Sequence, residues 1–403
     1  MRICMLLRNP MLRDARVERE ASTLARAGHD VTIIATTEPG IARTEERDGY
    51  RIVRIDPVPP WVSRLSGRTP IPSQQAGSKT SSDPKNRPLP LVALRDALVT
   101  RQMTRAALTT PADVYHAHDL NTLAAGVAAA RKHRAHLVYD AHELYPDLMG
   151  LHPAERARWR KLETRLITRP DAVITPSKAR SDEMARRYRI PPPDVVMNCP
   201  PAGPAPDPAA SVLHALRRPG ETLLVYAGGY TVHRGLENIV RAMADLERCR
   251  LAMVGYGYLE GTLRAIAADF GADRVEFVDP VAADDVVRTV AGADIGFASY
   301  LPVGLNNQLA APNKLWEYLH AGLAVAASDL PEIRNVVDGY AVGTLFDGND
   351  PASIAGAVRK LTADPAALGA MRARALEVAP QFTWERQAGV LLGIYERLTV
   401  RRG

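Results

Sequence analysis

The segment Ala311–Asp329, APNKLWEYLHAGLAVAASD, places Asn313, Lys314 and Glu317 within two turns and runs through Gly322 into the small-residue stretch Ala324–Ser328. A proline at the first helical position loses no hydrogen bond and leaves the next amide groups free to face an anion. With Pro312 in that position, Lys314 can neutralise a phosphate and Glu317 can accept two ribose hydroxyls in bidentate fashion. Residues three apart share a helix face, so these two act together while Leu315, Trp316 and Leu319 form the buried stripe. The same pair on an ordinary capped helix facing solvent would do no chemistry, and this segment alone leaves both readings open. YAGGYTVHRGLENIV (Tyr226–Val240) adds the turn Gly228–Gly229 and Arg234 at another helix start. Glycines there admit a ligand close to the backbone, and arginine clamps a diphosphate through its planar fork. VGYGYLE (Val254–Glu260) supplies a third such turn, with Gly255 and Gly257. Three strand–glycine–helix turns in one half of the chain favour a nucleotide site at the carboxyl ends of strands.

In the other half, VYHAHDL places His118 just beyond a strand, and VYDAHEL places His142 and Glu143 just beyond the next. A histidine at a strand's carboxyl end can orient a hydroxyl or exchange a proton near neutral pH, and the adjacent Asp119 could fix its tautomer. Each histidine could equally cap a helix, and His116, inside the strand, reads as filler. No pair of histidines lies at metal-ligand spacing on a helix, and Cys4, Cys199 and Cys249 are far apart, so no metal is expected.

Short apolar runs alternating with amphipathic stretches position these residues, the pattern of parallel α/β architecture. Strands are expected at Ile3–Leu7, Val31–Ala35, Ile52–Ile55, Val114–His116, Leu137–Asp140 and Ala172–Thr175. A second set is expected at Thr222–Tyr226, Leu251–Val254, Val275–Val278, Ile295–Ala298, Ala324–Ser328 and Gly343–Leu345. Two tandem Rossmann-like domains follow: residues 1–195 with a mobile surface loop at 61–90, a proline- and alanine-rich linker at 196–220, and a second domain at 221–380. A last amphipathic helix lies within 381–403. The 403 residues suffice for two domains of about 200 residues, each with a core. Apolar content of 46% and charged content of 24% are those of a soluble globular protein. The net charge of +6 suits phosphates, nucleic acid or anionic lipid without choosing among them. No signal-peptide core or apolar run of spanning length occurs, and a cytoplasmic location is expected.

Taken together these residues resemble a retaining glycosyltransferase of family 4 with the two-domain GT-B architecture. The resemblance runs through DARVEREASTLARAGHDVTII, ADVYHAHDL, LVYDAHELY and DAVITPSKARSDEMARRY. It continues in YAGGYTVHRGLENIV, LAMVGYGYLEGTL, ADIGFASY and APNKLWEYLHAGLAVAAS, and ends at FTWERQAGVLLGIYERL. It implies a nucleoside diphosphate sugar, UDP- or GDP-linked, on the second domain and an acceptor on the first, with catalysis in a cleft between them and the last helix crossing back. By the same resemblance Arg234 contacts the diphosphate, and Glu317 is the second glutamate of an E-x7-E motif and holds the ribose. His118 lies near the transferred sugar, the leaving diphosphate assists acceptor deprotonation, and no metal or other cofactor is required. Two departures stand out. Leu309 occupies the place of the first glutamate, with Gln308 beside it as a substitute sugar contact, and RNPMLRDARV replaces a glycine-rich first loop. Arg8, Asn9 or Arg16 would then take over contacts on the acceptor side, together with His118, His142 and Glu143.

Two other functions fit part of this pattern: a nucleotide-sugar epimerase of related form, for which no set of acid–base carboxylates can be assembled, and a non-catalytic nucleotide-sugar binder. The acceptor is a small molecule, a glycan or lipid-linked. Arg95, Arg101 and Arg105 on the helix Leu91–Leu108, with Trp159 in Arg156–Arg169, could touch the inner membrane face peripherally, although a solvated arginine face is the preferred reading. No nucleic-acid partner is expected, and oligomeric state is left open.

Overall fold

The computed structural model describes residues 1–12, 14–58, 89–269 and 272–400; the surface loop expected at 61–90 lies, up to residue 88, outside them. Contacts divide the chain into two units. One ends its main part at Met197 and regains the chain from Gln387, and the other contains Asn198–Arg386.

In the first unit the strands are β1 (Arg2–Leu6), β2 (Asp30–Thr36), β3 (Thr44–Arg47), β4 (Tyr50–Ile55), β5 (Val114–His118), β6 (His136–Asp140), β7 (Ala172–Thr175) and β8 (Asp194–Val195). They form one sheet in the order β3-β4-β2-β1-β5-β6-β7-β8, parallel except for the β3–β4 hairpin. Parallel strands are covered on both faces, which is why β1 reads as an apolar run after Arg2. All five residues of β5 are buried, including His116 and His118. Helices α1 (Ala15–Arg26), α2 (Leu89–Thr109), α3 (Leu120–His133), α4 (Pro153–Leu166) and α5 (Lys178–Tyr188) accompany the sheet. The Asp14 side chain caps α1 by accepting from Val17 N at 3.3 Å, and the helix turns Arg16 and Glu20 inward with Val17, Ala21 and Leu24. The charged hairpin strand β3, TEER, was not expected. Cross-strand and neighbouring ion pairs support it, Arg47–Glu45 at 2.6 Å and Arg54–Glu45 at 2.7 Å.

In the second unit β9 (Thr222–Ala227), β10 (Cys249–Val254), β11 (Val275–Val278), β12 (Ile295–Ala298), β13 (Ala324–Ser328) and β14 (Gly343–Phe346) are ordered β11-β10-β9-β12-β13-β14, with every pair parallel. Its helices are α6 (Leu236–Ala242), α7 (Glu260–Ala268), α8 (Val286–Val290), α9 (Leu305–Gln308), α10 (Asn313–His320), α11 (Pro331–Val337), α12 (Pro351–Thr362) and α13 (Pro365–Val378). The segment expected as a linker is packed: Ser211 and Leu213 are buried, the Ser211 hydroxyl donates to the Thr289 carbonyl, and Arg217 reaches Asp294 at 3.0 Å. Its proline content marks irregular backbone anchored by these side chains.

The last helix, α14 (Trp384–Val400), belongs to the first unit from Gln387 onward; there Tyr395 is buried with its hydroxyl 2.9 Å from His116 Nδ1. Strand order reverses between β1 and β5 in the first unit and between β9 and β12 in the second. Open α/β sheets bind ligands outside the carboxyl ends of strands at such points, and His118 ends β5 just as the Gly228 turn follows β9.

Candidate functional site

In the second unit, α10 starts at Asn313, and Pro312 is the extended residue before it (φ −72°, ψ 136°) instead of the first helical residue. Tyr318 ties this helix to the β9/β12 reversal: its hydroxyl donates to Phe297 O at 3.2 Å and accepts from Ala227 N at 3.1 Å. Lys314, one residue into the helix, is buried with Nζ 3.8 Å from the centre of the Tyr226 ring. It points beneath the glycine turn, where a Cβ on Gly228 would lie 3.2 Å from Nζ. Burial, and then the nearby Arg234, hold the Lys314 ammonium well below its usual range, while Glu317 opposes the shift. The Arg234 guanidinium stacks over Tyr300 at 3.8 Å. A cation lying on a ring face is attracted without being neutralised. Glu317 is half-buried and Asn313 exposed. The structure thus gathers Gly228, Arg234, Lys314 and Glu317 around one reversal point.

The other donor-side residues each have a structural setting of their own. Gly255 and Gly257 are demanded by the loops themselves: a Cβ on Gly255 would stand 2.1 Å from Gly228 O, and one on Gly257 2.3 Å from Tyr230 O. Gly229 has no such constraint, its nearest neighbour being Thr231 Cγ2 at 3.7 Å. Gln308 is exposed and donates to Pro302 O at 3.2 Å, while Leu309 is half-buried at the end of α9. Tyr226 and Tyr300, the two ring platforms, were missed; both are aromatics at or just past the carboxyl end of a strand. Beside Tyr300 a cleft of about 520 Å³ is lined by Ser328, Asp329, Phe346, Asp347 and Gly348.

In the first unit the hub is Asp140, a residue the sequence reading passed over. In the parallel register it lies directly across from His118. Arg16 grips it through Nε to Oδ2 at 2.7 Å and Nη2 to Oδ1 at 2.8 Å, and donates from Nη1 to Val196 O at 2.6 Å. His142 Nε2 lies 3.0 Å from Asp140 Oδ2 and 3.1 Å from His118 Nδ1, which is itself 3.5 Å from Oδ2. The His116 ring stacks on His118 at 4.3 Å, and Glu20 stands 3.1 Å from Arg16 Nε. Burial alone would raise the Asp140 carboxyl, but Arg16 and His142 hold it well below the carboxylate range. Burial would likewise lower His142, yet Asp140 and Asp119 push it up to about 10. Glu20 is pushed up to about 8 by burial and by Asp140, and burial lowers both His118 and His116.

Several acceptor-side expectations change accordingly. Arg16 is a buried clasp on Asp140. Arg8 is almost enclosed and paired with Asp96 at 2.7 Å, and the Asn9 side chain bonds Asp14 and Met11 N. Glu143 is held by Arg180 at 2.6 Å. Asp119, expected to fix the His118 tautomer, stands instead 3.8 Å from His142, in a strained left-handed conformation (φ 63°). Trp159, weighed as a possible lipid contact, is buried against Tyr145. Glu20, His116, His118 and Asp140 each offer a ligand atom within 4.8 Å of one another, a grouping from three elements that no single-helix spacing could show. Arg16 already donates to both Asp140 oxygens.

A family profile described as glycosyl transferase 4-like domain matches residues 14–201, and one described as glycosyl transferases group 1 matches residues 221–364. The chain is a GT-B glycosyltransferase of the family 4 type. It is 29% identical over 316 residues to a D-inositol 3-phosphate glycosyltransferase of Stackebrandtia nassauensis, covering 72% of this chain and 69% of that one. Among solved structures, sucrose-phosphate synthase from Thermosynechococcus elongatus superposes with a TM-score of 0.77 at 19% identity over 100% of both chains. Anabaena HepE in complex with UDP-glucose does so with a TM-score of 0.67 at 16% identity, over 99% of this chain and 100% of that one. These likenesses establish the shared fold of this glycosyltransferase. Among its described residues, no helix is long and apolar enough to cross a membrane.

Proposed function

We propose that this glycosyltransferase moves a sugar from a UDP- or GDP-linked donor to a small-molecule, glycan or lipid-linked acceptor with retention of anomeric configuration. The observation that carries this reading is the cradle at the β9/β12 reversal, where Lys314 and Arg234 lie on the rings of Tyr226 and Tyr300 and Glu317 sits one turn further along α10. Lys314 and Arg234 bind the diphosphate, Glu317 accepts the ribose hydroxyls, and His118 meets a hydroxyl of the transferred sugar. The bond from the anomeric carbon to the diphosphate oxygen breaks, the acceptor oxygen replaces it on the same face, and the departing diphosphate takes the acceptor proton. No protein carboxylate is needed as base, which agrees with Leu309 at the place of the first glutamate. UDP-glucose is the first donor to test, because HepE is described with it; a phosphorylated cyclitol is the first acceptor, from the name of the Stackebrandtia relative.

Calorimetric titration with UDP and UDP-glucose tests the donor site. Arg234→Ala and Glu317→Ala should each weaken binding about 10-fold or more, since a charge-assisted hydrogen bond contributes about 1.5–3 kcal/mol. Unchanged affinity in both variants would remove the cradle from the donor site. UDP release from UDP-glucose separates a transferase from a silent binder, which frees none.

A further inference from the structure

The geometry around His118 decides which of its ring nitrogens carries hydrogen. His118 Nδ1 and His142 Nε2 are 3.1 Å apart, a separation that calls for one hydrogen between them. The His142 ring is flanked by two carboxylates, with Nε2 3.0 Å from Asp140 Oδ2 and Nδ1 3.8 Å from Asp119 Oδ2. Opposite charges on both sides favour the imidazolium, which has hydrogen on both nitrogens. The nearest opposing charge, Arg16, is itself bound to both oxygens of Asp140. The hydrogen on His142 Nε2 lies between Asp140 Oδ2 at 3.0 Å and His118 Nδ1 at 3.1 Å, and a second hydrogen on His118 Nδ1 would face it, so Nδ1 presents its lone pair. Burial keeps the His118 ring neutral, so its single hydrogen sits on Nε2. That Nε2 is buried and has no hydrogen-bond partner among the described residues.

We infer that Asp140 and His142 are positioning residues that hold His118 as its Nε2–H tautomer, making His118 a hydrogen-bond donor to a sugar hydroxyl oxygen and not a proton acceptor. This rests on the proposed placement of His118 beside the transferred sugar. A buried N–H without an acceptor is costly, so this nitrogen favours a ligand oxygen with a free lone pair. Arg16 keeps Asp140 ionised, and the main chain fixes its strand against the next loop through Asp119 N to Asp140 O at 2.8 Å.

Long-range proton–nitrogen spectra of the histidine rings in the ¹⁵N-labelled full-length protein test the inference, with His118→Ala and His142→Ala spectra for assignment. At pH 7.5 His142 should show two protonated nitrogens and His118 hydrogen on Nε2 alone. In His142→Phe, which leaves the Arg16–Asp140 pair intact, the nearest partner left to His118 Nδ1 is Asp140 Oδ2 at 3.5 Å, and the hydrogen should move to Nδ1. The same variant should release UDP from UDP-glucose about 10-fold more slowly with KM changed less than about 3-fold, because a neutral hydrogen bond to the sugar is lost while the nucleotide contacts stay. Hydrogen on Nδ1 in the unmodified protein, or no tautomer change in His142→Phe, would overturn the inference. His118→Ala at full turnover would instead overturn the placement of His118 beside the sugar, and the spectra would still decide the tautomer.

Discussion

The two units hold their charges in opposite ways. In the first, Arg16, Asp140, Glu20 and His142 are locked into one another, and what remains without a partner among the described residues is a buried, neutral histidine nitrogen. In the second, Lys314 and Arg234 rest on aromatic rings, and among the described residues no carboxylate lies within ion-pair distance of Lys314. A closed network of opposite charges builds structure. The Lys314 amine rests on its ring with no such counter-charge beside it, and desolvation depresses its pKa.

The largest expected effect that could break this contrast is on stability. Asp140→Ala leaves the Arg16 guanidinium buried without its main partner and should cost about 3–5 kcal/mol in urea unfolding. A loss below about 1 kcal/mol would mean that the first cluster is no closed network. Next comes ligand binding. Lys314→Met should leave stability unchanged or raised, because an apolar side chain of similar size replaces a desolvated amine. It should also weaken UDP binding about 10-fold. In the unsubstituted protein, UDP binding should take up a proton, since a diphosphate restores the ammonium that burial disfavours, and affinity should fall as pH rises. Calorimetry in buffers of different ionisation enthalpy measures that uptake, and Lys314→Met should abolish it.

The smallest effect is the pH dependence of stability, which should carry opposite signs in the two units. His142 is raised to about 10, so its contribution is complete below pH 6.5 and is lost as pH climbs through 10. Glu20, raised to about 8, acts in the same direction from pH 4.5 upward. Lys314 is depressed, so its burial weighs less as pH rises towards its ordinary value of 10.5. Thermal unfolding between pH 6.5 and 10 should therefore show a shallower fall of Tm in His142→Phe and a steeper one in Lys314→Met. Identical slopes in the two variants would erase the distinction.

Much of the scaffold was legible because buried parallel strands are mostly apolar. Ala172–Thr175, Val275–Val278, Ile295–Ala298 and Ala324–Ser328 begin and end where the residue pattern places them. Strand β3 was not legible, since TEER is charged at three of four positions and owes its conformation to partners in the hairpin. Helices α12 and α13 were legible in principle: each opens with aspartate followed by proline, a cap and a first-turn residue in one pair, and the aspartates Asp350 and Asp364 do cap them. The second-unit cradle could be read because Lys314 and Glu317 are neighbours on one helix. The first-unit hub could not, because Asp140 meets His118 through a register between strands and meets Arg16 across 124 residues of sequence. Local spacing reveals chemistry carried by one element and hides chemistry assembled from three.

The hydroxyl of Tyr395 on buried His116 has a consequence for how the chain is made. The first unit needs both its opening 197 residues and those from Gln387 onward, so its sequence is interrupted by the whole of the second. On a ribosome, the second unit has all of its strands in hand before the piece that closes the first has been synthesised. The histidine cluster thus lacks its contact with Tyr395 until the helix after Gln387 has been made.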